Sequence, residues 1–103
     1  MFILNAFSAN MLQDMPTTVT FEEVSVEWVK QYAMVVKSAV GHADTASVFS
    51  TVLGFEVPMN RTSVVLNKGD EAILGQYSGP RLPEGSTTLP DNAKIRWLHV
   101  RVR

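Results

Sequence analysis

"TSVVLNKGDEAILGQY", residues 62–77, is the stretch on which the fold turns. Two apolar runs, TSVVLN and EAILGQY, flank the turn residues KGD, a pattern that predicts an antiparallel hairpin. On its N-terminal side, Ala46, Phe49 and Leu53 fall at helical spacing with Gly54 as the stop, which predicts a helix from about Ala43 to Leu53. Before that, VEWVKQYA reads as a helix with Ser25 as its N-cap and Glu27 at the positive end of the dipole. TTVTFEEV is rich in β-branched residues and reads as a strand, as does the short apolar run FILNAF near the start. Ser8 to Met15 form a polar loop closed by Pro16. On the C-terminal side, SGPRLPEGSTTLPDN is a loop punctuated by prolines, and KIRWLHVRV is a closing strand. Repeats, low-complexity tracts and linkers are absent. The expectation is a single domain over residues 1–103, an α/β sandwich with a mixed five-stranded sheet and flanking helices.

The composition limits the function classes. Apolar residues make up 46% of the chain and charged residues 18%, the balance of a globular protein. A net charge of −1 argues against holding long DNA by phosphate neutralisation, but leaves room for a small anion gripped by a few local cations. The chain has no cysteine, which removes disulfides, thiolate catalysis and cysteine-based zinc sites, and suits a reducing cytoplasm. The opening MFILNAFSANML lacks basic residues ahead of its apolar run, and Asn5, Ser8 and Asn10 interrupt it. It reads as strand and loop, not as a signal or membrane span.

Four fragments carry candidate chemistry. In SAVGHADTASVF (residues 38–49), His42 stands at the mouth of the second helix, where free backbone N–H groups and the dipole favour a phosphate. The dipole disfavours an imidazolium there until an anion arrives, and Gly41 allows close approach of the backbone. The plainer reading of His42 is a helix cap or a surface residue. NAFSANML (residues 5–12) offers Asn5, Ser8 and Asn10 at a strand exit, suited to a nucleobase or ribose, or else to a turn satisfying its own backbone. Arg61 puts a cation at a strand start. Arg81 and Glu84 lie three residues apart in PRLPEG (residues 80–85), where an exposed pair contributes about 0–1 kcal/mol.

Taken in order and at these spacings, NAFSANML, SAVGHADTA, NR and RLPEG resemble the viral ring nucleases, anti-CRISPR proteins that degrade cyclic tetra-adenylate, the second messenger of type III CRISPR defence. The resemblance runs from about Phe2 to the final strand. It implies a homodimer enclosing one cyclic tetra-adenylate across its interface, with no cofactor or metal. The substrate's ribose 2′-hydroxyl attacks the adjacent phosphorus and expels the 5′-oxygen, leaving linear di-adenylate with a cyclic phosphate end. His42 matches the family's catalytic histidine, a general acid for the leaving oxygen, a role typically giving ~10²- to 10⁴-fold. Arg81 matches an arginine that stabilises phosphate charge, and Glu84 a carboxylate that acts on Arg81, His42 or the ribose. Arg61 matches a phosphate-binding arginine, while Asn5, Ser8 and Asn10 match the pocket loop. Two-fold symmetry doubles these contacts, so four arginines could meet four phosphates despite an acidic monomer.

One region departs from that pattern. Family members continue after the arginine–glutamate loop into a short helix, whereas STTLPDNAK is brief and contains Pro90. His99, in the last strand with no motif around it, is expected to be structural. Two rival functions stand beside the enzyme: a non-catalytic protein that sequesters the cyclic nucleotide, and an interaction subunit that uses KIRWLHVRV as a sheet edge for partner pairing.

Overall fold

Ala72, Ile73, Leu74 and Gly75 are consecutive and all buried, a run that belongs to a strand covered on both faces. The computed structural model, which describes residues 1–103, places them in β4 (Glu71–Ser78), inside a five-stranded mixed sheet. The other strands are β1 (Phe2–Leu4), β2 (Val19–Val24), β3 (Lys37–Ala39) and β5 (Lys94–Val102), and the order across the sheet is β2-β5-β4-β1-β3. β1 lies between β4 and β3 and runs parallel to both, while β5 pairs antiparallel with β4 and β2. Two α-helices, α1 (Val26–Lys30) and α2 (Ala43–Leu53), complete the domain.

The expected fold class is found: one α/β domain with a mixed five-stranded sheet and two helices. One strand is exchanged for another. TSVVLN does not pair with EAILGQY, because both ladder edges of β4 are taken, one by β5 over eight residue pairs and the other by β1. The segment still runs with period-two burial, Val64 and Leu66 in and Val65 out, and makes a single parallel bridge from Leu66 to Leu12. The fifth strand is instead the three-residue Lys37–Ala39, held by parallel pairing with β1. The KGD turn is present, with Gly69 at φ 95° and the Asp70 carboxylate accepting from the Asn67 N–H at 2.7 Å.

Each face of the sheet has its own core. On the helix side, Ile3, Ile73 and Trp97 pack against Val29 of α1 and Ala46, Phe49 and Leu53 of α2. The spacing read in the sequence therefore supplies the buried stripe of α2, and Gly54 ends that helix in the left-handed region at φ 75°. Ser25 caps α1, its hydroxyl accepting from the Trp28 N–H at 3.1 Å, but the helix gives way to turns after Lys30. On the opposite face, Leu4, Leu74, Leu98 and Val100 are covered by Val64 and Leu66, with Met11 and Leu12 packed alongside.

KIRWLHVRV is not a sheet edge. β5 is paired on both sides, so its backbone groups are spent within the chain and the strand-addition role read from the sequence is excluded. His99, expected to be structural, is buried on this strand, with its Nε2 2.6 Å from a Glu71 carboxylate oxygen and its ring 4.8 Å from that of Trp28. No helix follows the RLPEG segment before β5 begins, in keeping with Pro90. No helix is long and apolar enough to cross a membrane.

Candidate active site

The chain leaves β1 at Asn5, β3 at Val40-Gly41-His42 and β4 at Gly79. These three strands are parallel, with β1 between the other two, so their C-terminal ends open on the same end of the sheet. In open α/β sheets this is where ligands bind, since helix N-termini and loop residues converge there. An open cleft of about 710 Å³ lies at this end, lined by His42, Asp44, Thr45, Tyr77, Arg81, Leu82, Pro83 and Glu84.

His42 is the N-cap of α2 in position but not by its side chain, which makes no capping bond. Its ring is exposed. The first-turn N–H groups of the helix are thus left without the side-chain oxygen that Ser, Thr, Asn or Asp would place over them. The residues before His42 are fixed from both sides. Asn5 accepts a hydrogen bond from the Gly41 N–H at 3.3 Å, and Arg61 donates to the Gly41 carbonyl from Nε at 3.3 Å and Nη2 at 3.1 Å. Asn60 adds a bond from Nδ2 to the Ser38 carbonyl at 2.8 Å. The segment after β1 and the segment after α2 therefore clamp the stretch from Ser38 to Gly41 that leads into His42.

The far wall of the cleft is a turn. The Ser86 N–H bonds to the Pro83 carbonyl at 3.1 Å, and Gly85, third in the turn, sits at φ 84°, a conformation that favours glycine. Glu84 is thereby placed at the apex. The Tyr77 hydroxyl donates to the Pro80 carbonyl and holds the start of the loop, while the Asp44 carboxylate accepts from the Gly85 N–H at 2.9 Å and ties the turn to α2. Arg81 and Glu84 form no ion pair with each other or with His42, so a cation, a carboxylate and an imidazole all face the cleft unengaged. An imidazole and a guanidinium lining one cleft are groups chemically able to exchange a proton with a leaving oxygen and to hold a phosphate.

The structure brings together His42, Arg81 and Glu84 in one cleft, and Asn5, Gly41 and Arg61 in one hydrogen-bonded cluster adjoining it through the Gly41–His42 peptide. Ser8 and Asn10 do not line this cleft. They form a 3-10 turn at Ala9–Met11, where the Ser8 hydroxyl accepts from the Asn10 N–H at 3.2 Å, the self-satisfied turn that was the plainer reading of NAFSANML. Sequence reasoning passed over Asp44 and Tyr77. The available signal was positional, since Asp44 is in the first turn after His42 and Tyr77 is near the end of β4.

Comparison with known proteins agrees with this architecture. The family model described as STIV B116-like matches residues 1–96. B116 of Sulfolobus turreted icosahedral virus has a similar solved structure, with a TM-score of 0.78 and 31% identity, covering 97% of each chain. Protein 26 of Sulfolobus islandicus filamentous virus (isolate Iceland/Hveragerdi) is 30% identical over 87 residues, 82% of this chain and 73% of that protein. ORF117 of Acidianus two-tailed virus is 43% identical over 68 residues, 62% of this chain and 57% of that protein, so the matched segment spans little more than half of ORF117. With its matched model extending over nearly the whole length and its fold shared with B116, the chain belongs to the STIV B116-like family of archaeal viral proteins.

Proposed function

We propose that this protein is a metal-independent ring nuclease that binds cyclic tetra-adenylate across a homodimer interface, cleaves it to linear di-adenylates and so antagonises type III CRISPR signalling. The observation that carries the reading is the convergence of His42, Arg81 and Glu84 on one cleft, from motifs that resemble the viral ring nucleases in order and spacing. The chain need supply no nucleophile. A ribose 2′-oxygen of the substrate forms the new bond to phosphorus as its proton passes to solvent water, the bond from phosphorus to the 5′-oxygen breaks, and a 2′,3′-cyclic phosphate remains. His42 delivers a proton to the leaving 5′-oxygen. Arg81 holds the non-bridging oxygens, whose charge grows in the transition state. Arg61 and Asn5 fix the peptide before the imidazole, and Arg61 can turn its remaining nitrogen to a second phosphate.

The test is cleavage of labelled cyclic tetra-adenylate in excess chelator, run beside the ring of six adenylates. Conversion to linear di-adenylate under these conditions is the expected result. Tight retention without products makes the protein a sequestering agent of the same fold, and absence of binding removes the nucleotide reading altogether.

A further inference from the structure

A carboxylate on the wall of a cleft that receives phosphates repels its own ligand. Asp44 is such a group: it lines the cleft two residues after His42, in the first turn of α2. Its geometry shows what it does there. One carboxylate oxygen accepts from the Gly85 N–H at 2.9 Å, across 41 residues of chain. The two other side-chain tethers of this loop lie elsewhere: Tyr77 grips Pro80 from β4, and the Thr51 hydroxyl reaches the Thr87 carbonyl two turns further along α2. Only the Asp44 bond joins the turn that carries Glu84 directly to the helix turn that follows His42. Without it, the two walls of the cleft are linked only through β4 and the far part of the helix.

Resting on the ring-nuclease reading above, we propose that Asp44 is a positioning residue, whose bond to Gly85 sets the Arg81–Glu84 wall at the working distance from His42. The role belongs to the acceptor oxygen and not to the charge. An asparagine keeps the acceptor and removes the repulsion, whereas an alanine removes both. In a site where small displacements of reacting groups can cost about 10²-fold, loss of the tether falls on turnover, and loss of the charge falls on binding.

The experiment compares Asp44→Ala and Asp44→Asn in two assays. Single-turnover cleavage of cyclic tetra-adenylate, normalised to folded protein, should fall roughly 10- to 100-fold for Asp44→Ala. Asp44→Asn should stay within about threefold of the parent in rate, with an unchanged or tighter Kd. In the absence of nucleotide, hydrogen exchange at the Gly85 amide should accelerate in Asp44→Ala and be protected again in Asp44→Asn. Equal losses of rate in the two variants assign the carboxylate a charge role and overturn the proposal. So does a variant that melts earlier but cleaves normally per folded molecule, or a Gly85 amide that is indifferent to Asp44→Ala. Failure of the parent protein to cleave is a separate result: it removes the activity on which the proposal rests, whatever the Gly85 amide does.

Discussion

Gly75 sits at the midpoint of β4, and the sign of its replacement by alanine follows from two opposing terms. The backbone there is ordinary extended strand, and in an uncrowded strand Gly→Ala stabilises by about 0.4–1 kcal/mol through the unfolded chain. Here a Cβ would stand 2.5 Å from a ring carbon of Trp97 and 2.6 and 2.8 Å from two of Phe49, where carbon pairs prefer about 3.5–4.0 Å. Neither ring can swing clear: Phe49 is 0% exposed and Trp97 4%, and they pack edge to face with centroids 4.8 Å apart. Overpacking costs about 1–3 kcal/mol, and three contacts under 3 Å to buried rings put this site in the upper part, about 2–3, so against a gain of up to about 1 kcal/mol the steric term wins by about 1–2 kcal/mol. For a chain of this size that lowers Tm by roughly 4–16 °C.

Guanidinium unfolding monitored by tryptophan fluorescence measures the effect directly, with thermal melting beside it. Phe49 supplies two of the three short contacts, which gives a second measurement. In a Phe49→Leu background, the Gly75→Ala change should cost less by at least about 0.5 kcal/mol, a coupling expected only of residues in contact. Gly54 is the control, because its strain comes from φ 75° with nothing within 4 Å, and its replacement should cost the same in both backgrounds. A Gly75→Ala protein as stable as its parent, or a cost indifferent to Phe49, would falsify this account of the core.

His42→Ala should keep cyclic tetra-adenylate binding within a few fold while single-turnover cleavage drops at least about a hundredfold; parallel losses in both would make the ring a binding group. Arg81→Ala should weaken binding by roughly 10- to 150-fold, the value of a hydrogen bond to a charged group, and lower the cleavage rate as well. A normal Kd by calorimetry would remove Arg81 from the phosphate site. Ser25→Ala should cost about 1 kcal/mol in guanidinium unfolding, because it frees the Trp28 N–H that the hydroxyl now satisfies. Its cleavage rate should be untouched; an unchanged midpoint would show that α1 does not depend on its cap.

Local signals in the sequence were sound where a residue's own chemistry decides its conformation. Ser25, the Ala46-Phe49-Leu53 stripe and Gly54 all read correctly because capping, helical period and a left-handed stop act within a few residues. TSVVLN shows where this ends. Expected to form a hairpin with EAILGQY, it lies with Val64 and Leu66 buried and Val65 exposed, but EAILGQY has a partner on each side, from residues 2–4 and 94–102. Lys37–Ala39 was passed over for the opposite reason. Three residues, two of them Lys and Ser, carry no strand pattern, and the strand exists because β1 offers a free parallel edge, joined at the Lys37 N–H to the Met1 carbonyl.

The same distinction explains the candidate site. Each motif there admitted a plainer reading, and for Ser8 and Asn10 that reading is what the turn shows. His42, Arg81 and Glu84 are brought together by topology: β1 is flanked by β3 and β4, and all three strands run the same way. Their exits therefore share one end of the sheet, and His42 faces Arg81 and Glu84, 39 and 42 positions further along the chain, across a cleft. A chain with the same helix and the same loop, but with EAILGQY paired to TSVVLN in a hairpin, would give up β5 or β1 as a partner of β4, and losing β1 would remove the adjacency that brings Arg81 to this end. The sheet order is thus a condition of the cleft: His42 after β3, and Arg81 and Glu84 after β4, share one end of the sheet because a single strand, β1, lies between β3 and β4.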